Sequence, residues 1–119
     1  MKPWNQVVES KIVWAPIGYV QKKDGSTAPR FSRIGVRVDM ADGTHWHYSF
    51  RHESWTHHHK PVQALDRLGR PAKEAGRPVF LPPKKTRWDA DELQKEFSKR
   101  SPELLIALQT GVEQALQSE

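Results

Sequence analysis

The chain has 119 residues, 36% of them hydrophobic, with nine prolines, no cysteine and a formal net charge of +5. That length is one domain with one modest core, and the lack of cysteine excludes a disulfide framework and thiolate metal sites and fits a reducing compartment. The opening MKPWNQVVES holds no long apolar run and no cleavage-site pattern, and no stretch approaches the roughly 20 apolar residues of a membrane span, so a soluble, cytoplasmic protein is expected.

Residues 7–14 (VVESKIVW) read as a first strand, interrupted by Pro16 because proline cannot donate to a ladder and restricts the residue before it. Residues 17–22 follow as a second strand, and 23–29 as a polar turn tightest at Asp24-Gly25. Residues 31–40 and 44–51 then alternate apolar with polar side chains, the signature of half-buried strands.

The loop between these last two strands sets their register. A two-residue Asp42-Gly43 turn places Val38 opposite His47 and mixes apolar residues with histidines along the ladder. A three-residue loop, with Ala41 and Asp42 in a type I turn and Gly43 in a left-handed bulge, faces Val38 with Trp46, Val36 with Tyr48 and Ile34 with Phe50. A slip of one residue reverses every side chain, so the second register is the one that makes a core face. Its other face pairs Asp39 with His45, Arg37 with His47, Gly35 with Ser49 and Arg33 with Arg51.

Beyond the hairpin, 52–61 has no clear assignment. Pro61 suits the first position of a short helix, VQALDRLG, closed by Gly69 and carrying Val62, Leu65 and Leu68 on one face. Residues 70–87 hold four prolines and read as an extended basic connection pinned to the body by Phe80. A helix capped by Asp89 or Asp91 runs through Leu93 and Phe97 to about Lys99. Ser101-Pro102-Glu103 starts another, reaching about Gln117, with Leu105, Leu108, Val112, Ala115 and Leu116 in one stripe. Gly111 in mid-helix marks either a cost or a close packing contact. The predicted class is α+β: a small antiparallel meander of three or four strands (about 7–51) and then two or three helices, the C-terminal one covering the sheet. Within a single domain, the β part spans 1–52, the connection 60–87 and the C-terminal helices 89–117.

Charge is segregated along the chain. Residues 60–87 hold eight Lys/Arg against two Asp/Glu, and 88–119 hold three against seven. A basic body favours polyanionic partners through long-range attraction and counterion release. All six histidines lie between 45 and 59. His45 and His47 point the same way from one strand, opposite Asp39, and the three together are candidate ligands for a divalent transition metal. HWHYSFRHE resembles the H-x-H…E opening of cupins, but the His47–Glu53 spacing is too long and no second half of that pattern follows, so the family is not assigned. No nucleophile elbow supports a hydrolase built from Ser49, His47 and Asp39.

The leading expectation is therefore a non-enzymatic binding or accessory protein, needing no cofactor, whose basic surface meets nucleic acid or a nucleic-acid-associated protein. Its candidate contact residues are Phe31, Arg33, Arg37, Arg51, Lys84, Lys85 and Arg87, with Trp55 and Trp88 as further exposed aromatics. Its size and composition suit a phage or mobile-element factor. One alternative is a metal-dependent hydrolase or oxygenase using Asp39, His45 and His47. The other is an adaptor or inhibitor, homodimeric through the C-terminal helix.

Overall fold

Three turns of one design organise the strands. In each, a glycine donates its N–H three residues back while the first residue of the turn donates to the carbonyl of the fifth: Lys22/Gly25/Ser26, Met40/Gly43/Thr44 and Asp66/Gly69/Arg70. The glycines have φ of +88°, +87° and +78°, the left-handed region that such a bulge requires. In the first two turns an Asp side chain, Asp24 or Asp42, accepts both the backbone N–H and the hydroxyl of the following Ser26 or Thr44. A D-G-[ST] triplet is thus a turn with its own lock.

In a computed structural model of the chain, residues 2–118 are described. The elements are β1 (Val7–Gln21), β2 (Thr27–Met40), β3 (His45–Ser49), β4 (Ser54–His58), β5 (Lys73–Glu74), β6 (Arg77–Pro78), β7 (Lys85–Asp89), α1 (Ala90–Arg100) and α2 (Pro102–Gln117). Five strands form one antiparallel sheet in the order β1-β2-β3-β4-β7, and β5 and β6 form a separate hairpin. The class is α+β as expected, with more strands than the three or four read from sequence. Val38 pairs with Trp46, Val36 with Tyr48, Arg37 with His47 and Asp39 with His45, as the three-residue loop demands.

Several expectations are corrected. Pro16 does not end a strand: β1 runs through it, and the sheet absorbs the proline at a register shift between Pro16 and Gly18. The stretch 52–61, without assignment from sequence, contains β4, so His57 and His58 are strand residues. VQALDRLG is not a helix. Eight residues cannot offset helix nucleation without a buried face, and Leu65 and Leu68 stay exposed. Residues 62–66, 70–74 and 77–81 instead form a small antiparallel lobe, tied by Ala64 N–H to Val79 O, Ala72 N–H to Ala64 O and Leu81 N–H to Val62 O. Phe80 pairs with Gln63 inside that lobe and is 55% exposed, so it does not pin the connection to the body.

The helices cover one face of the sheet. Val36, Val38, Met40, Trp46 and Trp55 meet Leu93 and Phe97 of α1 and Leu104, Leu108 and Ala115 of α2 in a single buried cluster. The buried stripe of α2 is Leu104, Leu108, Gly111 and Ala115, shifted from the expected one; Leu105 and Val112 flank it and Leu116 is exposed. Glycine at 111 has a steric reason, because a Cβ there would lie 3.0 Å and 3.2 Å from the two methyls of Val38. Charges agree with the macrodipole of α1: Asp91 and Glu92 in its first turn, Lys99 and Arg100 in its last. The radius of gyration is 18.5 Å, against about 13.5 Å for a compact chain of this length. The far end of the β1–β2 ribbon and the 62–81 lobe account for the excess.

The Gly111–Val38 contact predicts a coupled pair. Gly111→Ala gains about 1 kcal/mol of helix propensity but crowds Val38, so urea midpoints should show little net change. In a Val38→Ala background the same substitution should stabilise by about 1 kcal/mol or more. Equal effects in both backgrounds would mean that the helix does not rest on Val38.

Candidate functional site

The face of the sheet turned away from the helices is uncovered, and the register composes it row by row. Reading partners from strand to strand, one row is Lys11, Arg37, His47, Thr56 and Arg87. The next is Glu9, Asp39, His45, His58 and Lys85, and the one on the other side is Val13, Gly35, Ser49, Ser54 and Asp89. With strands about 4.8 Å apart, each row crosses the sheet over roughly 19 Å. The central row carries Lys11 and Arg87 at its edges and Arg37 beside Lys11, with His47 and Thr56 between Arg37 and Arg87.

Arg37 is held in place. Its Nη2 lies 2.9 Å from Asp39 Oδ1, and its Nε lies 3.1 Å and 3.2 Å from the two carboxylate oxygens. Two residues apart on one strand, the pair shares a face by the same alternation that places His45 and His47 there. The bidentate contact fixes the guanidinium flat against the sheet and leaves it 41% exposed. It also takes up Asp39 as a ligand: among the described residues, no three His, Cys, Asp or Glu side chains come together as a metal-ligand set. Ser49 Oγ accepts from His52 N–H, and Asp39 faces Arg37 rather than orienting His47.

The histidines of this face are pushed toward the neutral form. His45 is lowered to about 4, first by burial and then by Arg37 and His58, with Asp39 opposing. His47 is lowered by burial and by His58. His58 is lowered by burial, then by Lys85 and Arg37. The rings of His45 and His58 stack face to face at 4.3 Å, 9° from parallel, so each covers one face of the other.

The candidate contact residues are only partly brought together. Arg37, Lys85 and Arg87 share the uncovered face, because β7 joins the sheet beside β4. Arg33 and Phe31 do not. An extra residue, Ile34, falls between the Val13–Gly35 and Trp14–Arg33 pairs, so the alternation of β2 is thrown out of step there. Arg33 then pairs with Trp14 and Phe31 with Pro16 in the distal ribbon, where Trp14, Tyr19 and Phe31 are all more than half exposed. Arg51 is not opposed to Arg33: the β2–β3 ladder ends at Gly35–Ser49, and Arg51 lies in the β3–β4 turn. Lys84 precedes β7 at the end of the lobe. Trp55 is buried, and Trp88, half-buried, packs 5.3 Å from Phe97, so neither is an exposed platform. Sequence reasoning missed Lys11, Thr56 and His58. The odd-numbered alternation Glu9, Lys11, Val13 was a usable signal for the first, while the others needed β4 to be recognised as a strand.

His57 lies on the helix side instead, stacked on Trp46 at 4.1 Å and 6°. Burial, then His59, hold it down to about 4, with Asp42 opposing. A histidine whose folded value is depressed leaves the unfolded chain binding more protons between its two values, so stability falls as pH drops through about 6.5 toward 4. Urea midpoints should therefore decline from pH 7 to pH 5, at up to about 1.4 kcal/mol per pH unit for each proton taken up. His57→Phe keeps the stack and should flatten that slope by up to one proton; an unchanged slope would place His57 in water.

No helix in the described residues is long and apolar enough to cross a membrane. Compared with known proteins, the chain matches no protein-family model, no curated protein and no solved structure.

Proposed function

We propose that this protein is a non-enzymatic binding protein that holds single-stranded nucleic acid across the uncovered face of its sheet. The observation that carries the reading is the row Lys11, Arg37, His47, Thr56, Arg87, with a cation at each edge of the sheet and a third at Arg37, on a face that no helix covers. The charge of the whole molecule divides in the same sense. The segment holding both helices has three Lys/Arg against seven Asp/Glu, whereas the chain before it has sixteen against seven. Repulsion from the helix layer and attraction to the sheet layer orient a polyanion before contact.

Single strands suit this face better than duplex. Proteins that hold them combine backbone-tracking cations with flat rings on which bases stack, histidine included. The stacked His45–His58 pair can offer a base the outer face of either ring. The distal ribbon adds Trp14, Tyr19 and Phe31 among Lys22, Lys23, Arg30 and Arg33, and the 62–81 lobe adds Arg67, Arg70, Lys73 and Arg77. Neutral histidines leave room for bases at pH 7, and phosphates favour protonated ones.

Two measurements test this. In salt titrations against oligo-dT and oligo-U, Lys11→Ala, Arg37→Ala and Arg87→Ala should each weaken binding and reduce the log–log slope by about 0.7 for each phosphate left without its cation, while Arg51→Ala should match the parent. A parent that binds neither strand at low salt sinks the reading. The second is pH. An anion raises the depressed values of His45, His47 and His58, so binding takes up protons and should tighten from pH 7.5 to 5.5. His45→Gln with His58→Gln should lose that dependence.

A further inference from the structure

On the other side of the sheet, where its lower end meets the α1–α2 junction, lies a pocket of about 480 Å³. Its walls are rings: Trp4, Trp46, His57 and Trp88 among them. Two polar atoms in its lining are buried without a hydrogen-bond partner, His57 Nε2 and Ser101 Oγ. A buried polar group left unpaired is costly, so an orphaned pair facing one cavity calls for a ligand that completes both.

The chemistry of that ligand follows from the lining. Ser101 is only 9% exposed and occupies the N-cap of the 16-residue α2, yet its hydroxyl makes no capping bond. It sits where the C-terminal end of α1 meets the N-terminal end of α2, with its O–H left free to donate to an anion. Beside it the Arg100 guanidinium lies over the rings of Phe97 and Trp88, at 5.3 Å and 5.9 Å, with no carboxylate partner among the described residues. Glu103, in the same turn of α2, lines the neighbouring groove, which Trp4 and Arg100 border as well. Asp42 and His57 also line the pocket, an acceptor and a group held neutral mainly by its burial. Arg100 and Ser101 thus take an anion, the indole walls take a planar ring, and Asp42 and His57 take hydrogen-bond donors and acceptors on that ring's edge. The volume lies within the range of small-molecule sites.

We propose that this pocket binds a nucleoside monophosphate, its phosphate on Arg100 and Ser101 and its base against Trp4 and Trp88. The same chemistry is presented by the phosphorylated end of a strand. The site lies on the face opposite Arg37 and stands or falls independently of strand binding there.

Calorimetry and tryptophan fluorescence of the full chain with the four ribonucleoside monophosphates test it, alongside the matching nucleosides, inorganic phosphate and a 5′-phosphorylated tetranucleotide. At least one monophosphate should bind with one-to-one stoichiometry and quench the indoles, with its nucleoside and phosphate alone each weaker by about tenfold or more. Equal binding of the tetranucleotide identifies a strand end as the ligand, and much weaker binding identifies the free nucleotide. Arg100→Gln and Ser101→Ala should each weaken binding by about tenfold, whereas Arg51→Ala should bind as the parent does. Ser101→Ala should melt no lower than the parent, because it removes an unsatisfied hydroxyl that makes no cap. Absence of monophosphate binding at millimolar concentration, or phosphate binding as well as the nucleotide, overturns the proposal. So does a Ser101→Ala protein that binds unchanged or melts lower, which would make the hydroxyl inert or structural.

Discussion

Gly111 lets the backbone of α2 lie against Val38, and Val38 in turn faces Trp46 across the β2–β3 ladder. The two contacts join the layers at one point, and the remaining order follows from them. With the register of β2 and β3 settled, even-numbered residues of both strands go under the helices and odd-numbered ones go to the uncovered face. Pairing of β4 and then β7 extends the same division outward, and Trp55 and Trp88 land on the helix side as His47, Thr56 and Arg87 land on the other. A slip at Val38 would exchange the two faces. The core and the candidate interface are therefore one decision, made in the Met40-Ala41-Asp42-Gly43-Thr44 turn.

What could be read in the sequence divides along physical lines. The central hairpin was legible because two signals agreed, strict alternation and an Asp-Gly-Thr turn that closes on itself. The C-terminal helices were legible from Ser101-Pro102, their apolar stripes and their terminal charges, although neither Asp89 nor Ser101 makes a side-chain capping bond. Strands β4 and β7 were not: each is five residues long, histidines interrupt the apolar pattern of the first, and their pairing spans the whole intervening lobe. The VQALDRLG segment failed differently. Its i, i+3, i+6 apolar spacing suits a helix, but it also suits a turn whose leucines have nothing to cover. The side chain of Asp66 decides for the turn, accepting the N–H groups of Leu68 and Arg70. Only the glycine in the fourth position links it to the other two turns, and that alone is too little to read.

The arginines of the candidate site show the same limit. Alternation placed Arg33, Arg37 and Arg51 on one face, and only Arg37 is there. One extra residue at Ile34 and one early turn at Phe50 remove the other two. Local pattern gives the side of a strand only as far as the ladder stays regular, and bulges leave no compositional trace beyond Gly35 and the nearby prolines. In return, the fold adds Lys11, which the sequence reading missed, and brings the candidates Lys85 and Arg87 to the same face.

Arg37 is the residue through which the electrostatics of the uncovered face are set. At first sight its pairing with Asp39 cancels the charge that a polyanion needs. The bidentate geometry argues otherwise. A free arginine loses side-chain entropy on binding a phosphate, whereas this one is already ordered, with part of its guanidinium still in water. Asp39 also limits how far Arg37 can depress His45, since its carboxylate is the counterweight among the causes acting on that ring. The histidines therefore sit below their ordinary value by burial first and by their cationic neighbours second, and an arriving phosphate reverses the second cause but not the first.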